Sequence, residues 1–277
     1  MRIAVTGAGG GLGRAFLARV PSEHDVRGFT RQELDVRSSD DVMGTLGTGF
    51  DVILHLAAMT GVDACQEDPH RAAETNVLGS FNVADAAHRA GATLVALSTD
   101  YVFDGHKGAP YVESDVPGPL SVYARTKLAG ERAVQAVVPD ALIVRTAWVF
   151  GSGDDFASAA IRRLRGGEDV VGIVDQVGSP THVAHLAERL LPLLDSGIRG
   201  VVHLAGPEAT TWHDVLARAR SLGTLPGEVL ERKADELGRP APRPAYSALA
   251  SEVLPRTEVP PMPSLDEAVR MVVADVR

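Results

Sequence analysis

Only one of the 277 residues is a cysteine, Cys65, so no intrachain disulfide can form and no cysteine cluster can hold zinc. Lysine is scarce too: Lys107, Lys127 and Lys233 are the only three. Basic residues number 27 against 36 acidic ones, a net charge of −9. That balance argues against a general nucleic-acid binder, because neutralising phosphates needs a basic face. It does not exclude a small anionic ligand, which backbone N–H groups and one or two arginines can hold. No apolar run approaches the roughly 20 residues that span a bilayer. A glycine cluster follows Met1-Arg2-Ile3-Ala4-Val5, where a signal peptide would continue its apolar core. A cytoplasmic protein is expected. His182, His185 and His203 do not form a metal-ligand spacing with carboxylates, so no metal is expected.

What is present is ordinary for a globular chain, 45% hydrophobic and 23% charged. Short apolar runs at Ile3–Thr6, Asp25–Phe29, Val52–His55, Thr93–Ser98 and Leu142–Arg145 read as buried strands. Between them, helical patterns lie near Leu12–Val20, Ser39–Leu46, Pro69–Ala90 and Ser121–Val137. This alternation predicts an α/β fold, a Rossmann-type doubly wound parallel sheet. The stretch Asp100–Pro119 reads as a long functional loop. After Gly151 the rhythm loosens, with helices at Phe156–Leu164, Val183–Leu194, Trp212–Ser221 and Leu265–Ala274. The expected organisation is a nucleotide-binding domain over 1–150 and a smaller C-terminal substrate-binding lobe over 151–277, some segments of which return to the sheet. Asp154-Asp155 reads as a helix cap, Trp212-His213 as capping and packing, and Arg162, Arg163 and Arg165 as a solvated face.

Gly7, Gly10 and Gly13 follow the first strand and open a helix, with Gly11 and Leu12 inside the turn. A dinucleotide pyrophosphate needs such a turn, with close backbone approach and helix N–H groups aimed at it. At the end of the second strand an acidic residue would bind the adenosine ribose hydroxyls. Here the chain reads Gly28-Phe29-Thr30-Arg31, and Arg31 offers a planar fork to a 2′-phosphate. NADPH is favoured, without excluding NADH. Ala57 and Ala58, after the strand ending at His55, are small enough to let a cofactor lie across the strand ends or are simply packed.

Tyr123-Ala-Arg-Thr-Lys127 places a phenol and an ammonium four residues apart, on one face of a helix. When hydride reduces a carbonyl, the developing alkoxide needs a proton. A tyrosine with a lowered pKa can supply it, and a nearby cation favours the phenolate. Thr99, at the end of a strand, can hydrogen-bond the carbonyl oxygen; Ser98 is the competing hydroxyl.

Three further stretches are Ser98-Thr-Asp-Tyr-Val-Phe-Asp-Gly105, Val122-Tyr-Ala-Arg-Thr-Lys-Leu-Ala-Gly-Glu131 and Val144-Arg-Thr-Ala-Trp-Val-Phe-Gly151. With Asp175-Gln-Val-Gly-Ser-Pro-Thr181 and Thr211-Trp-His213, the chain resembles the dTDP-4-dehydrorhamnose reductase family of extended short-chain reductases. The resemblance implies Thr99, Tyr123 and Lys127 as the catalytic set, and cofactor contacts at Gly7, Gly10, Leu12, Gly13, Asp35, Ala57, Ala58 and Lys127. Leu34-Asp35-Val36 resembles the pair that flanks the adenine in such reductases. Trp148 matches a tryptophan lining the sugar pocket, and Asp100, Tyr101 and Phe103 fall in the substrate loop. Thr60 and Val62, in a loop of the family's shape, either face the sugar or pack. The implied reaction is reduction of C4 of a dTDP-4-keto-6-deoxyhexose by NADPH. The stretch Gly223–Pro263 follows the family only loosely, apart from Arg239–Ser247.

A 4,6-dehydratase would need an Asp-Glu pair after the threonine, and Tyr101 follows Asp100 instead. A nucleotide-sugar 4-epimerase would keep the Thr–Tyr–Lys set, although the tryptophan after Arg145-Thr-Ala fits a reductase better. A non-catalytic NADP-binding regulatory subunit, as some family-like proteins are beside methionine adenosyltransferase, also stays open. So does a homodimer.

Overall fold

Six strands form the centre of the computed structural model, which describes residues 1–276. They are β1 (Arg2–Thr6), β2 (Asp25–Phe29), β3 (Val52–His55), β4 (Thr93–Thr99), β5 (Leu142–Thr146) and β6 (Gly200–His203). All pair in parallel, in the spatial order β2-β1-β3-β4-β5-β6. The longer helices are α1 (Gly11–Leu17), α2 (Ser39–Leu46), α3 (Gly79–Ala90), α4 (Val122–Val137), α5 (Phe156–Arg165), α6 (Val183–Asp195), α7 (Trp212–Gly223) and α8 (Leu265–Asp275).

Strand side chains alternate between faces, so each strand feeds two cores. Ile3, Val5, Leu54, Val95, Val144 and Val202 meet Phe16 of α1 and Leu186, Leu190 and Leu193 of α6. Ala4, Ile53, Leu94, Ala96 and Ile143 meet Val42 and Leu46 of α2, Val83 and Ala87 of α3, and Val134 of α4. A sheet covered on both faces explains why the strands read as continuous apolar runs. The order reverses beside β1, because the chain goes first to β2 on one side and then to β3 on the other. Open α/β sheets bind ligands at such a switch point, beyond the carboxyl ends of the strands.

A third core gathers α5, α7 and α8 around Ile161, Leu164, Val215, Leu216, Val269 and Val272. Asp155 caps α5 by accepting the Ser158 N–H at 2.9 Å, and Ser264 and Glu267 form a reciprocal capping box on α8. Thr211, rather than Trp212 or His213, caps α7. Among the described residues no helix is long and apolar enough to cross a membrane.

One helical expectation changes in detail. The pattern over Pro69–Ala90 is not one α-helix: Pro69–Ala73 and α3 are joined by a π-turn, Glu74–Leu78. Asn76 in that turn reaches sideways, with its amide on Met59 N, Met59 O and Thr126 Oγ1 at 2.8–3.1 Å. An apolar period carries no trace of such a bulge, since it inserts only one residue per turn.

Candidate active site

Gly7 sits at φ +70, and a Cβ there would stand 2.7 Å from the Ala57 nitrogen; a Cβ on Gly13 would stand 2.5 Å from the Gly7 oxygen. The turn is therefore closed to side chains, and its N–H groups open α1. A buried chain of hydrogen bonds supports the floor beside it. The Ala57 N–H donates to Thr6 Oγ1 (3.2 Å), which lies 2.8 Å from His55 Nδ1. His55 Nε2 lies 3.2 Å from Ser80 Oγ, whose own proton goes to the Asn76 carbonyl at 2.7 Å. With Ser80 donating onward, it must accept from Nε2–H, so Nδ1 accepts from Thr6. His55 is thus neutral, in keeping with burial holding its pKa near 3.

From this turn two clefts run across the strand ends. One, of about 400 Å³, is lined by Gly7, Gly10, Arg31, Asp35, Val36, Ala57 and Ala58, and also by Arg37 and Arg71. The other, of about 460 Å³, is lined by Gly10, Gly11, Leu12, Gly13, Ala58, Thr60, Thr99, Asp100, Tyr123, Lys127 and Trp148. Gly10, Leu56 and Ala58 line both. Thr30 lies beside Gly9, its backbone N–H and hydroxyl both donating to Glu33 at 2.8 Å. Asp35 is engaged by Arg37, which holds its carboxyl down at about 2.

β4 delivers Thr99 and α4 delivers the other two groups. Ser121 caps α4 by accepting the Ala124 N–H at 3.2 Å, which starts the helix at Val122, one residue before Tyr123. Ser98 lines the cleft too but donates to the buried Glu131, whereas the Thr99 hydroxyl bonds the Tyr123 phenol. Lys127 Nζ donates to the Leu97 carbonyl at 2.7 Å; burial lowers its pKa to about 8, against the pull of Glu131. Tyr123 reverses the expected direction. Burial pushes its phenol above the ordinary tyrosine value, with the Thr99 hydroxyl only partly opposing this. The expectation of a lowered pKa assumed that Lys127 would dominate, whereas desolvation does.

Trp148 closes the opposite wall two residues beyond β5. Its φ of +45 lies in the left-handed region, a conformation costing about 1–3 kcal/mol in a non-glycine residue. Trp212 of α7 holds it there by stacking, rings 4.8 Å apart and 6° from parallel. Gly178 makes room beneath, since a Cβ would lie 2.3 Å from the Trp148 ring.

Over residues 1–277 the sequence matches the RmlD substrate binding domain family. The chain belongs to that family. The dTDP-4-dehydrorhamnose reductase of Mycolicibacterium smegmatis is 39% identical over 282 residues, covering 99% of this chain and 86% of that protein. Its namesake from Mycobacterium tuberculosis H37Rv is 43% identical over 260 residues, covering 90% and 85%. A dTDP-4-dehydrorhamnose reductase from Bacillus anthracis in complex with NADP superposes with a TM-score of 0.94 at 31% identity, covering 99% of both chains. The UDP-glucose 4-epimerase of Thermus thermophilus, at 24% identity and a TM-score of 0.85, shows the shared fold alone.

Within this RmlD-family chain three expected substrate residues, Phe103, Tyr101 and Val62, do not line the cleft. Phe103 is fully buried, stacked on Tyr111 with rings 4.2 Å apart and lying under the Arg145 guanidinium, so it cannot touch a ligand in the cleft. Its place beside Asp100 and Tyr101 in sequence misleads, because the chain turns inward after the 3-10 turn Asp100–Val102. Tyr101 and Val62 pack with Cys65 around Tyr123 and form the wall behind it. Sequence reasoning also missed contributors. Glu131 and Arg145 form a buried bidentate pair at 2.8–3.0 Å behind Thr99 and Lys127. Glu131 lies four residues beyond Lys127, a helical spacing that could have flagged it. Trp212 packs as expected, Ser247 closes the one stretch of its region that resembles the family, and Asn76 carries no comparable signal.

Proposed function

We propose that this RmlD-family chain reduces the 4-keto group of a dTDP-4-keto-6-deoxyhexose with NADPH, the activity for which its dTDP-4-dehydrorhamnose reductase relatives are named. One observation carries the proposal: Thr99, Tyr123 and Lys127 meet in a single cleft with the glycine turn and Trp148. The residues fit a dinucleotide. Gly7 and Gly13 keep a cradle that a Cβ would fill, and Arg31 and Arg71 stand at the other end of the neighbouring cleft. Bound NADPH supplies the hydride. Lys127 would hold the nicotinamide ribose with its ammonium, and Leu12, Ala57, Ala58, Asp35 and Val36 would line the path of the cofactor. Thr99 and Tyr123 hold the keto oxygen, and Tyr123 gives up its proton as charge develops there. A phenol kept protonated by burial is the right starting state for an acid. Trp148 and Thr60 face the sugar in this reading, with the buried Asp100 at the foot of the cleft, bonded to Thr99 and Ser247.

The deciding measurement is NADPH oxidation with dTDP-4-keto-6-deoxyglucose, with and without a 3,5-epimerase. Turnover that requires the epimerase supports a reductase of the rhamnose type, and turnover without it changes the sugar. Tight NADPH binding with no oxidation over a panel of keto-sugars would instead point to a binding subunit. Arg31→Ala should weaken NADPH about tenfold while leaving NADH affinity unchanged, as loss of one charge-assisted pair to a 2′-phosphate implies. Equal weakening of both cofactors, read by fluorescence titration, would remove Arg31 from that role.

A further inference from the structure

Behind the cleft, three buried groups share one hydrogen-bonded line. Ser247 Oγ donates to Asp100 Oδ2, and Thr99 Oγ1 lies 3.1 Å from Asp100 Oδ1. Thr99 Oγ1 also accepts the Tyr101 N–H at 3.2 Å. The three residues are exposed by only 1%, 2% and 6% for Ser247, Asp100 and Thr99. Burial and neutral hydrogen-bond donors dominate at Asp100; the phenols of Tyr101 and Tyr123 feel its charge, Lys127 lines the same cleft, and Arg239 and Arg243 act on the adjoining Tyr101. Ser247 is itself anchored, its N–H donating to the Val177 carbonyl at 2.8 Å.

A hydroxyl has one proton and two lone pairs, and a carboxylate has no proton. With Asp100 ionised, Ser247 and Thr99 both donate to it. Thr99 then offers the cleft only a lone pair, which competes with a keto oxygen for the Tyr123 proton. With Asp100 protonated, Ser247 still occupies Oδ2 as donor, so the carboxyl proton sits on Oδ1, facing Thr99. Thr99 then accepts from Asp100 and from the Tyr101 N–H, and its own proton is free to point into the cleft.

We propose that Ser247 and Asp100 are positioning residues that turn the Thr99 hydroxyl into a donor to the keto oxygen, Ser247 fixing the Asp100 proton on the oxygen that faces Thr99. The inference rests on the reductase reading above. It links a segment near the C-terminus to the reacting atoms. Burial pushes the Asp100 carboxyl up to about 7, so the two states exchange near neutral pH.

The test is the pH profile of kcat and KM for the NADPH-loaded protein, together with infrared difference spectra that read the carboxyl without turnover. The rate should fall as pH rises through the Asp100 step near 7, with the Lys127 step lying higher and overlapping it. In Asp100→Asn the amide donates permanently to Thr99, so the lower step vanishes and the higher one stays. In Ser247→Ala the carboxylate loses a donor, so the step moves to higher pH. Below that step kcat falls about fivefold to tenfold with KM little changed, the worth of one hydrogen bond. Ser247→Thr should restore both. In the spectra, the protonated-carboxyl band absent from Asp100→Asn should titrate near neutral pH in the parent and higher in Ser247→Ala. A lower step that survives Asp100→Asn, or a Ser247→Ala profile and band that superpose on the parent's, overturns the proposal. Should the parent oxidise no NADPH with any keto-sugar, the reductase reading fails, and the spectra still decide whether Ser247 places the Asp100 proton.

Discussion

Tyr123→Phe should lower kcat by about three orders of magnitude while leaving NADPH affinity unchanged, the loss that removal of a positioned general acid produces. The substitution removes one oxygen. Tyr123 is buried against Cys65 and edge-on to Tyr101, ring centroids 6.1 Å apart, and phenylalanine keeps the same ring in the same wall. Lys127 keeps its bond to the Leu97 carbonyl, so the cofactor side of the cleft has no reason to move. Steady-state NADPH oxidation and a fluorescence titration of NADPH separate the two effects. Near-normal turnover in the variant would show that the proton comes from elsewhere, with Thr99 the hydroxyl bonded to Tyr123.

Arg145→Met should destabilise the fold by about 4 kcal/mol, because it strands the buried Glu131 carboxylate without its cation. The two side chains are 5% and 4% exposed and bonded through two oxygens. For a chain of this size the loss should lower Tm by about 10 °C. The double variant Glu131→Leu/Arg145→Met should regain much of that stability, since a packed apolar pair avoids desolvating two ions. Calorimetry on the two variants is the check: a single variant within 1 °C of the parent would mean that water reaches the pair. Catalysis should not recover in step with stability, because Glu131 also accepts from Ser98, beside Thr99, and supports the charge of Lys127.

The sequence is most legible where one period decides a contact. The inner strands β1, β3, β4 and β5 are visible as apolar runs because both faces of the sheet are covered there, and the helical spacing alone puts Tyr123 and Lys127 on one face. The short pairings at Val149–Phe150 and Val170–Ile173 are not visible in this way. The glycine turn is legible because φ +70 at Gly7 leaves few other residues able to serve. Contacts between distant segments are hidden. Ser247 reaches Asp100 across 147 residues, and nothing local to either predicts it. Phe103 shows the same limit from the other side: a loop has no period, so its neighbours in sequence do not say which side chain turns inward. The phenol of Tyr123 was misjudged because charge can be read from a sequence and burial cannot.

The return of the chain to β6 has a consequence for how this molecule comes apart. Gly200 pairs with Leu142, while α5 lies before β6 in the chain and α7 and α8 lie after it, all three in one core. The C-terminal lobe is therefore sewn through the sheet rather than appended to it. A protease cut in the segment between α5 and α6 should leave both fragments associated, because the core of Ile3, Val5 and Leu190 and the core of Ile161 and Val269 each draw on both halves. Catalytic cleft and lobe should melt as one transition, and inheritance of a new sugar preference should proceed by changes within this chain rather than by exchange of a detachable module.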